Sequence, residues 1–478
     1  MLTAGGDGHY CQPRYPRELP HCPRRHNRRM ALPPGPKAPA AWQAAGWTLR
    51  TPAFLGRARA EFGDVFTANL GVPDPVVVVS DPDLVKKVFT ADPNILRAGE
   101  GNNILKPVLG SRSVLLLDGQ EHLRQRKLLL PPFHGERMSA YTQLMRDITD
   151  EQIDSWTVGG EVRLLEAFQR ITLEIILRAV FGVDVDDRRA APLRDSMRKM
   201  MRFGLAPMSQ LFMARKANEK PGAWWLIEPR IKEADALLYE HIADRRQATD
   251  LDERSDILSM LLQATDEDGN GLTDTELRDE LMTLLTAGHE TTATAMAWAY
   301  ERLLRQPDDM ERLRSEARGE DTDDGWTDAV IRESMRRRPP IPMVARRLSE
   351  PWTLREADGE LPKGTIIAPS IWLIHHRADI YPKPSEFRPE RWLGVKPDTY
   401  RWMPFGGGIR RCLGASFALL EMREVLRTVA ARADLVADPT EDRDRITRRA
   451  IVLSPRHGVR ATLRARSESK AAAPVAAA

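Results

Sequence analysis

One cysteine of this chain stands in a setting where it could do chemistry. Cys412 lies in the run Phe405-Gly406-Gly407-Gly408-Ile409-Arg410-Arg411-Cys412-Leu413-Gly414, just ahead of the apolar stretch Ala415-Ser416-Phe417-Ala418-Leu419-Leu420. Glycines let a backbone turn tightly and come close to a flat object that side chains would hold off. A thiolate at the start of a helix gains from the positive end of the dipole, and Arg410 and Arg411 add to that. The run reads as a preformed soft anion in a shielded loop. Such a ligand suits haem iron, where thiolate ligation pushes electron density toward O–O cleavage. Without this context, a lone cysteine is more often plain core.

Three further groups carry chemistry or brace it. Ala287-Gly288-His289-Glu290-Thr291-Thr292 falls inside a long helix that opens at the capping box Thr273-Asp274-Thr275-Glu276 and meets no proline until Pro307. Glycine and hydroxyl residues can open the helical ladder into a bulge. A small residue there leaves room for O2, Thr291 can hydrogen-bond it, and Glu290 can relay protons. Taken alone, the threonine would bond back to a carbonyl and the glutamate would face water. His289, some 100° around the helix from Glu290, is a bystander. Glu333 and Arg336 sit one turn apart in a helix ending at Pro339-Pro340, upstream of Phe387-Arg388-Pro389-Glu390-Arg391-Trp392. His122 and Arg126, at i and i+4, share a helix face, and a guanidinium suits a carboxylate.

These stretches, in this order, resemble the haem-ligand loop, acid–alcohol pair, Glu-x-x-Arg motif and propionate ligands of the cytochrome P450 family. The resemblance covers nearly all of residues 31–466 and implies a mainly α fold with a minor β region near the N-terminal half and a long central helix over the haem. It implies haem b as cofactor, with Cys412 on the iron. Phe405, Gly408, Gly414, Ala287 and Gly288 would lie against it, and His122, Arg126, Arg346 and Arg410 would hold it; many members have Trp at the position of His122. Glu290 and Thr291 would be catalytic, and Glu333, Arg336 and Arg391 a structural network bracing the thiolate loop. The pocket would be lined by Ile104, Leu105, Val108, Thr283, Ala287, Pro342, Val344 and Val452, with the methionine-rich Met197–Met213 and Trp224-Trp225 where the family has a mobile lid.

The implied activity is hydroxylation or epoxidation of a lipophilic small molecule with O2. Electrons would come from a separate ferredoxin or flavodoxin with an NAD(P)H-dependent reductase. Arg401, Arg410, Arg411 and Arg124 are expected to gather on the cysteine side and dock that acidic partner. Two rivals are a peroxide-driven or dehydratase-like member, disfavoured by the presence of both Glu290 and Thr291, and a non-catalytic haem sensor.

The elements that must position these residues can be read in outline. Thr51-Pro52 and Asp81-Pro82 each signal a helix start, the first helix stopping near Gly63. The four valines between Pro75 and Ser80 read as a buried strand, and Trp352–Leu354 and Thr365–Ala368 as short strands. Arg97–Asp118 looks irregular. Leu164–Val180 reads as an amphipathic helix, and Ala450–Leu453, followed by Pro455-Arg456-His457-Gly458, as a terminal hairpin. Trp42, Trp47, Phe54 and Leu55 are expected to pack on the body.

Composition narrows the classes. The 478 residues carry 71 Lys+Arg against 68 Asp+Glu. Residues 1–30 hold six arginines against Asp7 and Glu18, a net of +4, which leaves about −1 for the rest and no charge argument for nucleic acid. Three cysteines, two of them in that leader, argue against a disulfide framework and for a reducing compartment. No stretch approaches the ~20 apolar residues a spanning helix needs. The expected protein is a soluble, cytoplasmic, bacterial-type monomer without a membrane anchor. Residues 1–30 are expected to be a disordered leader, with Met30 as the functional start, and the alanine-rich residues 467–478 a disordered tail.

Overall fold

The chain is threaded around one helix, Asp274–Leu303. Its capping box forms as the sequence predicts: Glu276 N–H donates to Thr273 Oγ1 at 3.2 Å, and Thr273 N–H donates to the Glu276 carboxylate at 2.8 Å. Its apolar residues let it run through the interior, with Leu277, Leu281, Leu285, Met296 and Trp298 fully buried, and charged Arg278, Asp279, Glu280 and Glu290 are buried with them. Its main neighbour is Leu164–Ala179, and Trp326–Arg337 and Ala415–Arg432 pack beside it. The computed structural model describes residues 31–133, 135, 137–183, 191–204, 224–320, 325–438 and 444–465. The leader, the tail and most of the Met197–Met213 stretch lie outside them.

The largest sheet combines both ends of the domain. Strands β1 (Val65–Ala68), β2 (Val76–Val79), β3 (Leu96–Arg97), β5 (Arg346–Leu348) and β6 (Ile366–Pro369) align in the order β1-β2-β6-β5-β3. The β2–β6 pair is parallel and the others antiparallel. The valines of β2 are buried on both faces, as a central strand requires. The β region is therefore not confined to the N-terminal half: residues 346–369 supply its middle. Strands β4 (Glu161–Arg163), β7 (Asp434–Ala437) and β10 (Arg460–Arg464) form a second sheet, and β8 (Ile446–Arg449) pairs with β9 (Val452–Pro455).

Several boundaries differ from the sequence reading, each for a local reason. Asp81 does cap its helix, accepting from the Asp83 and Leu84 amides, and Pro82 is its first residue. Thr51, by contrast, caps nothing: its hydroxyl bonds back to the Trp47 carbonyl within a helix spanning Ala40–Phe62. Arg50 leaves helical geometry there, so a second helical segment begins beside Pro52, as the sequence predicts, and ends at the Gly63 cap, but without a side-chain cap from Thr51. Trp47 and Leu55 are buried as expected, whereas Trp42 is exposed. Arg97–Asp118 contains short helical turns, among them Asn103–Leu105 and Lys106–Leu109. The turn of the late hairpin falls at Ala450-Ile451, one strand earlier than the Pro455–Gly458 signal suggests. Trp352 contributes a single bridge, to Leu361, rather than a strand. Among the described residues, no helix is long and apolar enough to cross a membrane.

Candidate active site around Cys412

The cysteine loop is shaped by Phe89. A Cβ on Gly407 would come within 2.4 Å of the Phe89 ring, and one on Gly408 within 2.2 Å of its carbonyl oxygen. Gly408 also takes a φ of +65°, so both its space and its backbone demand glycine. The loop closes where Cys412 N–H donates to the Phe405 carbonyl at 3.0 Å, and Phe405 packs edge-on against Trp402. Gly414 then leads into the Ala415–Arg432 helix.

Cys412 retains accessible surface yet is enclosed by protein mass, a combination that fits a sulfur on the wall of an internal space. Burial pushes its thiol upward, and the Gly414 backbone, Arg126 and Arg411 only partly oppose that. From the sequence, Arg410 and Arg411 are both expected to favour the thiolate. Arg410 instead turns away, donating to the carbonyls of Val114 and Leu117 and to Asp118 Oδ1 at 2.6 Å. Arg126 takes its place beside the sulfur. Among the described residues, Arg126 makes no ion pair or hydrogen bond of its own.

His122, Arg126, Arg346 and Arg410 lie close enough to disturb one another. Burial, then Arg410, Arg126 and Arg346, hold His122 down to about 3. Burial and Arg410 lower Arg346 to about 10 despite Asp118, and burial is the main cause of the same value for Arg410. Among the described residues, the Nδ1 atom of His122 is buried without a partner. Like charges gathered around the one carboxylate of Asp118 need further anions. A Cβ on Gly414 would meet nothing within 4 Å. These residues fit a flat group bearing two carboxylates, as haem b does.

The central helix contributes an accessible stripe, Leu284, Ala287, Gly288 and Thr291, at i, i+3, i+4 and i+7, in a stretch whose remaining residues are buried apart from Thr286. No bulge forms, and the helix is continuous through it. Thr291 Oγ1 donates to the Ala287 carbonyl at 2.6 Å. Gly288 answers to packing, since a Cβ there would stand 3.1 Å from Ile176 Cδ1. Glu290 is buried and points elsewhere: Gln169 Nε2 donates to its Oε2 at 2.5 Å, and Ser454 Oγ of β9 lies 3.4 Å from Oε1. Burial raises its carboxyl, while Gln169, Arg449 and Ser454 pull the other way. His289 is likewise held aside by Thr172, at 2.9 Å from its Nδ1.

Of the expected pocket residues, Ile104 is exposed, Leu105, Val108 and Val344 are partly buried, and Pro342 and Val452 are buried. Thr283 departs from its expected role. Its hydroxyl is buried and committed to Ser113 Oγ at 2.7 Å and the Asp279 carbonyl at 2.6 Å, so it anchors a loop rather than lining a pocket. That loop, Leu109–Asp118, is tied to the central helix at three more points. Arg278 donates to the Leu109 carbonyl, and the Arg112 and Val114 amides donate to Asp279 and Glu280. On its other side it holds Arg410.

The structural network has a fully buried centre in Glu333 and Arg336, with Arg391 partly buried at its edge. Arg336 forks onto Glu333 through two bonds of 2.8 Å, and both side chains are 0% exposed. Arg391 Nε lies 3.2 Å from the same carboxylate, which also accepts from the Arg388 amide and Trp392 Nε1 at 2.9 Å. The expected docking face is half dismantled. Arg401 and Arg411 are exposed, but Arg410 is occupied as above and Arg124 is bound to Asp266 at 2.6 Å and Glu276 at 3.2 Å. A surface cleft of about 610 Å³, lined by Arg59, Trp372 and His376 among others, shares none of the site residues.

Sequence reasoning missed Phe89, Asp118, Gln169 and Ser454. Phe89 and Gln169 lie far along the chain from the groups they meet; Asp118 and Ser454 neighbour His122 and Val452, but their partners Arg410 and Glu290 are distant, and no local spacing announces these pairings.

A model of the family described as cytochrome P450 matches residues 33–461. A Mycobacterium tuberculosis protein named putative cytochrome P450 135B1 is 39% identical over 440 residues, covering 91% of this chain and 92% of that one. Another from the same organism, putative cytochrome P450 137, is 38% identical over 442 residues, 90% and 91% of the two chains. A cyanobacterial structure titled as retinoic acid bound CYP120A1 superposes with a TM-score of 0.77 at 24% identity, covering 91% of this chain and 99% of that one. The haem domain of a cytochrome P450DA gives 0.77 at 22% identity, with 92% and 97% covered.

Proposed function

The chain belongs to the cytochrome P450 family, whose members are haem b monooxygenases, and on that premise we propose that it hydroxylates or epoxidises a lipophilic small molecule, drawing two electrons from a separate ferredoxin or flavodoxin system. The observation that carries this reading is Cys412 itself: a deep yet accessible sulfur beside Arg126, which clusters in turn with His122, Arg346 and Arg410. Haem, when bound, supplies the activation of O2.

The rest falls to this chain's residues. Cys412 gives the sulfur ligand. Burial disfavours its ionisation, and coordination to the iron would supply what favours the thiolate. His122, Arg126, Arg346 and Arg410 would hold the two carboxylates, with Arg410 kept in place by Asp118. Ala287 and Thr291 border the reacting side. The Thr291 hydroxyl, donating to Ala287, keeps its oxygen's lone pairs for a proton delivered from elsewhere. Glu290 is the nearest carboxyl in sequence that could hold such a proton, and its buried position favours the protonated form.

Apolar Ile104, Leu105, Val108, Pro342, Val344 and Val452 support a lipophilic substrate. Exposed Arg401 and Arg411 support an acidic electron donor. The test is to reduce the purified protein under carbon monoxide. The far-red-shifted Soret band of a sulfur-ligated complex is expected and should vanish in Cys412→Ala; a preparation that takes up no haem refutes the reading. Ligands that change the iron's spin state in a spectral-shift screen would then identify the substrate class.

A further inference from the structure

Between the buried Glu333–Arg336 pair and the cysteine loop stands a residue to which the sequence assigns no role. His375 ends the short helix Ile371–His375 and is completely buried. Its carbonyl accepts from Arg336 Nη1 at 2.7 Å, and its ring Nε2 accepts from the Met403 amide at 3.0 Å. Met403 in turn accepts, through its carbonyl, from the Gly406 amide at 3.0 Å. From there the chain runs to Phe405, whose carbonyl receives the Cys412 amide at 3.0 Å. An unbroken route of hydrogen bonds and single residues thus leads from Glu333 to the sulfur. His375 is the step where it leaves the helical scaffold and enters the loop.

The chemistry of the ring suits that task. A neutral imidazole offers one acceptor nitrogen in a fixed plane, whereas a protonated ring offers none. Burial and the neighbouring Arg336 guanidinium keep His375 neutral well below its ordinary range, and the backbone of Met335 and Arg336 opposes this only weakly. With Nε2 accepting from Met403, the proton must reside on Nδ1. The ring is further fixed edge-on to Tyr381, at 6.4 Å between centroids, and Tyr381 ties back to the segment before the loop by donating to the Arg401 carbonyl at 2.9 Å.

We propose that His375 is a positioning residue that transmits the Glu333–Arg336 brace to the cysteine loop by accepting the Met403 amide, and so holds the Cys412 sulfur at the iron. The proposal rests on the haem-thiolate reading above and adds to it a residue that never touches the cofactor.

Two variants separate the acceptor from the bulk it fills. His375→Phe keeps a ring but no acceptor, while His375→Gln places an amide oxygen near the position of Nε2. With each haem-loaded protein reduced under carbon monoxide, the decay of the long-wavelength Soret band into its shorter-wavelength, thiolate-lost form is followed over time. His375→Phe is expected to decay about fivefold faster, the worth of one buried hydrogen bond. His375→Gln should return to within about twofold of the parent protein.

A Phe variant that decays at the parent rate overturns the proposal, as does a Gln variant no better than Phe. If His375→Phe does not accumulate, amide hydrogen exchange in the parent protein decides. The Met403 amide should be protected to the level of the helix core, and exchange at the rate of an exposed loop overturns the assignment. A parent protein showing no sulfur-ligated band defeats the haem-thiolate reading instead, and the exchange measurement still tests the His375–Met403 bond.

Discussion

The amide of Gln169 and the carboxylate of Glu290 stand 2.5 Å apart, joining two helices, and this bond fixes where the acid points. Thr291, the next residue, has its hydroxyl on the Ala287 carbonyl instead. Two consecutive side chains therefore sit in separate hydrogen-bonded settings, and any exchange of protons between them requires an intermediary such as water.

The first prediction concerns that bond. Burial raises the Glu290 carboxyl, and Gln169 is the largest influence lowering it. Gln169→Leu should move its titration further upward, read by the carboxyl stretch in infrared difference spectra across pH. A midpoint that does not move would show that Gln169 exerts no hold on the acid.

Thr291→Ala should leave NAD(P)H consumption largely intact while product formed per NAD(P)H falls by about tenfold or more, the electrons appearing as hydrogen peroxide. Quantifying product and peroxide together checks this. Coupling equal to the parent's would remove Thr291 from proton handling.

Glu333 and Arg336 are both 0% exposed, so loss of one leaves the other charged and unpaired. Arg336→Met should cost about 3–5 kcal/mol by denaturant unfolding of the holoprotein. Replacing both partners with apolar residues should cost less than the single change. A single-variant loss under about 1 kcal/mol, the level of an exposed pair, would contradict a buried brace.

Glu280 predicts a pH dependence with a definite sign. It is fully buried and accepts from the Val114 amide and Gln125 Nε2, both at 2.6 Å. Burial is the main cause of its rise to about 8, with Asp279 and Glu276 adding to it. In the unfolded chain it ionises near the ordinary 4.5. Its contribution to stability is therefore complete below that value and declines as pH rises toward 8. Glu280→Gln cannot ionise, so its stability relative to the parent should climb between pH 5 and 8, by at most roughly 1.4 kcal/mol per unit. Urea unfolding of both proteins at pH 5, 6.5 and 8 measures it, and a constant difference refutes it.

What the sequence made legible was local. The Asp81-Pro82 cap, the Thr273 capping box and the valines of β2 each encode their geometry within a few residues and appear as read; the glycines before Cys412 give the expected tight turn, but the close approach at Gly407 and Gly408 is to the distant Phe89. The same windows misled where a distant partner decides. Arg410 reads as a cation beside a thiol until Asp118 and two carbonyls claim it. Thr283 reads as pocket lining until Ser113 meets it, and Thr51 as a cap until Trp47 accepts its hydroxyl. His375 belongs to a His-His pair, and only the folded chain distinguishes the ring that meets Met403 from its neighbour, which stacks on Trp372.

The segment Leu109–Asp118 is fastened along both edges, to Arg278, Asp279, Glu280 and Thr283 on one side and to Arg410 on the other. Swinging it outward would break several of these bonds at once and strand buried carboxyls. A bulky guest must therefore find its doorway elsewhere along the wall. Under the proposed function, changes meant to retune which guests are admitted belong at neighbouring Ile104, which is exposed and outside this seam, rather than at the fastened stretch, where a change would first reach Arg410.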